Sequence, residues 1–294
     1  METRNFGATG LSAPVLGFGA MQLGDTGMDE ARAGRLLNQV LDLGVGLIDT
    51  ARSYGASEAR IGRHLHSRRQ QFLLSTKVGY GVEGCPDWTY DCVRLGVDLA
   101  LTTLQTDHID IVHLHSCPAQ VLLNNGVLDA LAAARESGKI NCVAYSGDNA
   151  DLMTALRSGQ VQAVQTSVNL VDQANLRLRV PVARDAGISV LTKRTLAGAP
   201  WRELMSPPAP PEAEYRRRYA AMVDQLPAAQ EMADLALRFA AFAPGVTCVL
   251  VGGTRIEHLQ ANIDAIDAGP LDPGTLQAIE NSWNRMGSEW DSVI

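Results

Sequence analysis

Several residue types and patterns are scarce in this chain of 294 residues, and each shortage narrows what it can be. Phe, Trp and Tyr together make up 5% of it, which argues against a wide aromatic pocket. The five cysteines, Cys85, Cys92, Cys117, Cys142 and Cys248, are odd in number and form no CxxC pair. Neither a disulfide framework nor a zinc site is expected, and a reducing cytoplasmic setting suits them. No apolar run reaches the roughly eighteen residues of a membrane span, and Met1-Glu2-Thr3-Arg4-Asn5 shows no leader-like apolar segment, so a soluble cytoplasmic protein without membrane contact is expected. Clustered positive charge is missing too. The formal net charge is -7, and the one basic run, Arg216-Arg217-Arg218, sits beside Glu212 and Glu214 as a solvated helix face would. Nucleic acid is therefore not an expected partner.

What the chain does have is apolar residues, 46% of the total, laid out in a repeating order. Phe6 to Ser12 reads as a hairpin turn and Val15-Leu16-Gly17-Phe18-Gly19 as a strand. Further strands are predicted at Leu47–Asp49, Phe72–Val78, Ile109–His115, Ile140–Ser146, Ala163–Ser167, Ile188–Leu191 and Thr247–Val251. Helical periodicity fills the intervals, at Asp29–Leu43, Ser57–Ser67, Trp88–Leu104, Asn125–Ser137, Ala150–Ser158, Leu176–Ala186, Ala228–Ala243 and Arg255–Ile266. Eight strands, each followed by a helix, predict an α/β fold of the (β/α)8 TIM-barrel type formed by residues 1–294 as one domain, with the N-terminal β-hairpin plugging its bottom and an extra C-terminal helix at Pro273–Asn284 followed by a tail. No Gly-x-Gly-x-x-Gly follows the first strand, so a doubly wound dinucleotide fold is the poorer choice. The Pro-rich stretch Ala199–Leu226 leaves the seventh strand. It is expected to cover a ligand, with an unanchored insertion as the alternative.

Barrel active sites collect at the C-terminal ends of the strands. Here those ends carry Asp49, Thr76-Lys77, His113-Leu114-His115, Tyr145-Ser146 and Gln165-Thr166-Ser167. A buried acid and a buried lysine each cost several kcal/mol unless paired, so Asp49 and Lys77 are expected to compensate each other. Tyr54 adds a proton donor whose pKa an adjacent ammonium lowers. His115 can orient a substrate oxygen or share in proton relay. Asp49 taken alone could equally be a structural ion pair, and a strand histidine is more often a satisfied core residue; of the two histidines, His113 is read as the structural one.

These residues carry a resemblance to the aldo-keto reductases over nearly the whole chain. Leu16-Gly17-Phe18-Gly19-Ala20-Met21 looks like the family's first strand, and Asp49-x4-Tyr54-Gly55-x-Ser57-Glu58-x2-Ile61-Gly62 resembles its tyrosine signature. Thr76-Lys77 and Asp110 through His115 match its lysine and histidine segments. The resemblance implies a tetrad of Asp49, Tyr54, Lys77 and His115, with Tyr54 the general acid, and NADPH or NADH bound across the barrel top. Its implied cofactor contacts are Gly19, Ala20, Met21, Asp49, Ser146, Gln165, Lys193, Arg194, Thr195, Leu196, Gly198, Gly252, Gly253, Thr254, Arg255, His258 and Asn262, and its substrate contacts Met21, Tyr54, Tyr80 and His115. Trp88, Val121 and Trp290 are further candidates for an apolar wall. No metal is implied.

Two departures stand out. Gly147 replaces the asparagine that follows Ser146 in the family, so Asp148, Asn149 or water would have to serve the carboxamide. Lys193-Arg194 stand where the family often has an aromatic stacker, and two cations there could neutralise a pyrophosphate. Arg255 and His258 favour NADPH through its 2′-phosphate, whereas Gly252 stands where many NADPH-dependent members carry lysine. The expected activity is NAD(P)H-dependent reduction of a small-molecule aldehyde or ketone by a monomer or weak homo-oligomer; the alternative is a cofactor-binding regulatory or scaffold protein of the same fold.

Overall fold

The computed structural model describes residues 1–203, 207–208, 210–227 and 231–294. An antiparallel hairpin, β1 (Thr3–Phe6) and β2 (Leu11–Pro14), precedes a closed parallel barrel. The barrel strands are β3 (Leu16–Gly19), β4 (Leu47–Asp49), β5 (Leu73–Val78), β6 (Ile109–His115), β7 (Ile140–Ser146), β8 (Ala163–Ser167), β9 (Ser189–Lys193) and β10 (Cys248–Gly252), in chain order around the ring, with β10 closing on β3. Outside them run α1 (Glu30–Asp42), α2 (Ser57–Leu65), α3 (Tyr90–Thr103), α4 (Ala119–Asn124), α5 (Val127–Glu136), α6 (Asn149–Arg157), α7 (Ala174–Leu178), α8 (Val180–Asp185), α9 (Glu212–Met222), α10 (Met232–Ala241), α11 (Ile256–Asp267) and α12 (Pro273–Met286). None of the described helices is long and apolar enough to cross a membrane.

Period-two alternation sorts each strand between two environments. Leu47, Ile111, Cys142, Ala163, Leu191 and Cys248 point inward and meet Phe6 of the hairpin, which is buried and stoppers the lower end of the barrel. Ile48, Leu74, Val112, Leu114, Val143 and Val164 belong instead to the larger core beneath the helices. On the inward face the apolar layer gives way to polar residues one step higher: Asp49 pairs in register with Ser75, Lys77 with His113, His115 with Ser146, Ser146 with Gln165, and Ser167 with Lys193. The same alternation that fills the lower barrel with Leu and Ile thus lines its upper mouth with polar and ionisable groups.

The expected Leu176–Ala186 helix is two, α7 and α8, divided at Arg179. Pro181, at the start of α8, has no N–H to continue the α7 ladder. Trp88 lies outside α3 because its backbone is left-handed, with φ 60°. The first three positions of the expected Ala228–Ala243 helix fall outside the described residues, as do 204–206 and 209 of the Pro-rich stretch. The described part of that stretch is anchored: its helix α9 packs Tyr215 and Met222 with Leu170, Val171, Leu235, Ile279 and Trp283 in a second apolar cluster beside the mouth.

Candidate active site

Tyr54 owes its position to a close approach of two loops. The Cβ that Gly24 lacks would lie 2.2 Å from the Tyr54 carbonyl oxygen, and one added to Gly55 would meet the Gly24 carbonyl oxygen at 2.4 Å. Gly55 is also left-handed, with φ 49°, so glycine is required on both counts. Below this contact, Ser57 donates to the Ala20 carbonyl and bonds Thr50 Oγ, both at 2.8 Å, and Thr76 donates to buried Glu58 at 2.6 Å. The signature residues around Tyr54 are therefore the fastening of the loop that carries it.

At the centre, Lys77 Nζ donates to Asp49 Oδ2 and to the Thr50 carbonyl, each at 2.7 Å, with both charged side chains buried. Burial works against the Lys77 ammonium, but Asp49 and Tyr54 outweigh it and raise its pKa. The ammonium lies 4.9 Å from the Tyr54 ring centroid. Its pull on the phenol is smaller than the effect of burial, and the Tyr54 pKa is raised, not lowered as the sequence alone suggests. Tyr54 is accordingly a protonated donor at neutral pH.

His115 faces Tyr54 edge-on, 5.9 Å between ring centroids, and stacks on Tyr80 at 5.6 Å. Burial first, and then the charges of Lys77 and Lys193, push its pKa down to about 3, so the ring is neutral. The Tyr80 hydroxyl lies 2.7 Å from His115 Nδ1 and 3.1 Å from Ser53 Oγ. Trp88 meets Tyr80 edge-on at 5.6 Å. Met21 is exposed beside the first strand, whereas Trp290 packs on Trp283 and Arg218, and Val121 against the main core.

Ser146 donates to Gln165 Oε1 at 3.0 Å, which leaves Gln165 Nε2 buried without a partner and available to a ligand carbonyl. The departure at Gly147 has a steric cause: an added Cβ would meet the Tyr145 hydroxyl at 2.4 Å, and that hydroxyl is fixed by the Cys117 carbonyl. The two side chains proposed as substitutes are both engaged. Asp148 accepts from Thr166 Oγ1, the Ser167 N–H and Asn175 Nδ2, each at 2.8 Å, while Asn149 bridges the backbone N–H and carbonyl of Ser292.

Lys193 and Arg194 have protein partners as well. Lys193 Nζ lies 2.9 Å from Asp148 Oδ2. Burial pushes the carboxyl up, but the Lys193 charge and the donors from Ser167 and Thr166 bring it below its ordinary range. Arg194 donates to the Val293 carbonyl at 2.6 Å and so ties the C-terminal tail to the barrel mouth. Thr195 turns inward onto Thr192 and the Leu250 carbonyl, Leu196 packs between the two apolar clusters, and Gly198 continues the turn in a left-handed conformation.

At the β10 end, Phe18, Gly252, Gly253, Arg255, His258 and Asn262 line a shallow depression. Asn262 also opens onto a cleft of about 620 Å3 between α10 and α11. Arg255 is exposed and lies 3.5 Å from Glu257, which offsets part of its charge. Thr254 adjoins them, its carbonyl 3.4 Å from Arg32. A side chain at position 252 would collide with Gln22 at 2.5 Å and the Gly19 carbonyl at 2.9 Å, which accounts for glycine there.

A closed parallel barrel whose polar mouth joins a paired lysine, a tyrosine and a neutral histidine defines a barrel oxidoreductase site. The comparisons agree: a sequence model of the aldo/keto reductase family matches residues 15–284, and the chain belongs to that family. It is 27% identical to L-galactose dehydrogenase of Arabidopsis thaliana, over 95% of this chain and 93% of that protein. It is 26% identical to L-glyceraldehyde 3-phosphate reductase of Escherichia coli, over 91% and 88%. Among solved structures, the holo form of the aldo-keto reductase AKR11C1 from Bacillus halodurans superposes with a TM-score of 0.84 at 27% identity, covering 96% of each chain.

Proposed function

We propose that this aldo-keto reductase reduces an aldehyde or ketone with NADPH or NADH, Tyr54 giving the proton. The observation that carries the proposal is the meeting of Tyr54, Lys77 paired with Asp49, and neutral His115 at one mouth. A nicotinamide nucleotide, when bound, supplies the hydride to the carbonyl carbon. The residues fit it: Gln165 Nε2 is a buried donor lacking a partner that would serve a carboxamide, and Gly252 and Gly253 leave backbone exposed beside the cleft reached through Asn262. Arg255 and His258 flank that end and suit a 2′-phosphate, and Lys193, Arg194 and the turn through Gly198 border the path between the two halves.

His115 binds the substrate oxygen and places it beside the Tyr54 hydroxyl. The Tyr80 hydroxyl, whose proton goes to Ser53 Oγ, lies against His115 Nδ1 and holds the ring with Nε2 free for that oxygen. Tyr54 transfers its proton as negative charge develops on the oxygen, and Lys77 stabilises the phenolate that remains. Asp49 holds the lysine in place, and the proton is restored from solvent through the mouth. Met21 and Tyr80 border the substrate side. The relatives' names make small hydroxylated aldehydes and sugars the first substrates to try.

Fluorescence titration with NADPH and NADH, followed by turnover of a carbonyl panel by wild type and Tyr54→Phe, tests the proposal. We expect nucleotide binding by both proteins and a loss of about 100-fold or more in reduction by the variant. Failure to bind either nucleotide, or full activity of Tyr54→Phe, rejects it.

A further inference from the structure

Two buried residues next to the tetrad have no assigned part in the reaction. Ser75 and His113 occupy the inward face of β5 and β6, each two positions below a member of the tetrad, Lys77 and His115. Ser75 Oγ donates to Asp49 Oδ1 at 2.7 Å, the oxygen that Lys77 does not bond, and His113 Nε2 lies 3.1 Å from the same Ser75 Oγ.

The donor count fixes the direction of this chain. A serine hydroxyl has one proton, and a carboxylate only accepts. Ser75 spends its proton on Asp49, so the bond between Ser75 and His113 requires the proton to sit on His113 Nε2. His113 Nδ1 has no hydrogen-bond partner, so in this tautomer only a lone pair goes unpaired, not an N–H. The Tyr145 backbone also neighbours the ring and opposes the fall in its pKa, but it lies outside hydrogen-bonding geometry for Nδ1. Burial is the chief reason the ring stays neutral, its pKa brought down to about 4; the charge of Asp49 opposes this, while those of Lys77 and Lys193 add to it.

We infer that Ser75 and His113 are positioning residues: the relay from His113 Nε2–H through Ser75 Oγ–H fixes Asp49 and draws off part of its negative charge, which leaves more of the Lys77 charge to act on Tyr54. The inference rests on Tyr54 being the acid. Tyr54 is faced by Lys77, Asp49, Tyr80 and His115, and Asp49 opposes its ionisation while Lys77 favours it. Removing the Ser75 proton returns the full carboxylate charge to this balance and makes Tyr54 a weaker acid.

The variants are Ser75→Ala, His113→Leu, and His113→Gln, which keeps an N–H donor beside Ser75. In Ser75→Ala the alkaline limb of the pH profile for carbonyl reduction moves up by ~0.5–1 pH unit, and in His113→Leu, which keeps the Ser75 proton on Asp49 but removes the donor behind it, by a smaller amount, with NADPH affinity near that of wild type. His113→Gln returns the limb toward the wild-type position. A limb that stays put in Ser75→Ala and His113→Leu overturns the inference, even if activity drops, and so does a shift in His113→Gln as large as in His113→Leu. Long-range 1H–15N spectra of histidine-labelled wild type read the relay without any substrate. A proton on Nε2 of His113 is expected; one on Nδ1 overturns the relay whatever the kinetics show. Full activity of Tyr54→Phe, measured alongside, rejects the acid assignment instead, and the histidine spectrum then decides the relay separately.

Discussion

Lys193 and Asp148 form an ion pair across the barrel mouth, 2.9 Å from Nζ to Oδ2, between the end of β9 and the loop that follows β7. The pair turns two departures from the family pattern into one structural unit: the acid after Gly147 and the cation in place of a stacking ring compensate each other. Lys193→Met leaves Asp148 buried with three hydrogen bonds and no counter-charge. The expected destabilisation is about 2–3 kcal/mol, at the lower end for a broken buried pair because the lysine side chain is 20% exposed. Asp148→Asn combined with Lys193→Met recovers part of that loss, and urea unfolding of the double variant and of each single variant measures the coupling.

Arg255 is an exposed cation at the β10 end, where we propose the adenosine binds, with Glu257 as its only ion-pair partner among the described residues. If it serves the 2′-phosphate, Arg255→Ala weakens NADPH by about 10-fold while NADH changes by less than 2-fold. Equal losses for both nucleotides in a fluorescence titration assign Arg255 to the pyrophosphate or to structure. Glu257→Gln, which frees the guanidinium, is expected to tighten NADPH.

Asp172 ties together three parts of the structure. Its Oδ2 accepts from the Val293 N–H at 3.0 Å and the Tyr215 hydroxyl at 3.2 Å, and Arg218 lies 3.9 Å from Oδ1. Burial raises its carboxyl to about 6 in spite of these partners. A folded-state pKa above the unfolded value means that the stabilisation is fully present below about pH 4 and is lost as the pH rises through about 6. Asp172→Asn, which cannot ionise, should therefore compare more favourably with wild type at pH 7.5 than at pH 4.5. The difference is about 2 kcal/mol, read from chemical denaturation at the two pH values.

Gly55 sets the height of Tyr54. Gly55→Ala forces a Cβ against the Gly24 carbonyl and strains a left-handed backbone, and we expect a cost of about 2 kcal/mol or more in stability. The rate of carbonyl reduction should fall further than stability explains, because the loop that moves carries Tyr54, the proposed proton donor. Kinetics on the fraction that remains folded, checked by circular dichroism, separate the two effects.

Much of the site was legible because barrel chemistry gathers at strand ends, and those ends can be counted along the chain. Asp49, Lys77 and His115 fall on predicted strands that the structure reproduces almost residue for residue, and the Asp49–Lys77 pairing followed from the cost of burying either alone. Ser75 and His113 were within reach of the same reasoning, since they share the inward period of Lys77 and His115. A serine carries no charge to attract notice, however, and His113 read as plain core. The partner of Lys193 was not legible. Asp148 is 45 positions away, and only the pairing of β7 with β8 and β8 with β9 brings the two together.

The stretch from Asp49 to Gly55 shows where the division falls. Sequence alone determined the residue types, the strand period and the glycine, because those depend on local sterics and on what an apolar strand tolerates at its end. The balance of charge around Tyr54 was decided only by the tertiary structure. An adjacent ammonium argues for a lowered phenol pKa, yet closure of the barrel buries the ring deeply enough to raise it. Desolvation depends on everything that surrounds a group, and for Tyr54 that includes Lys77 and His115 from two other strands, which meet it only once the barrel has closed.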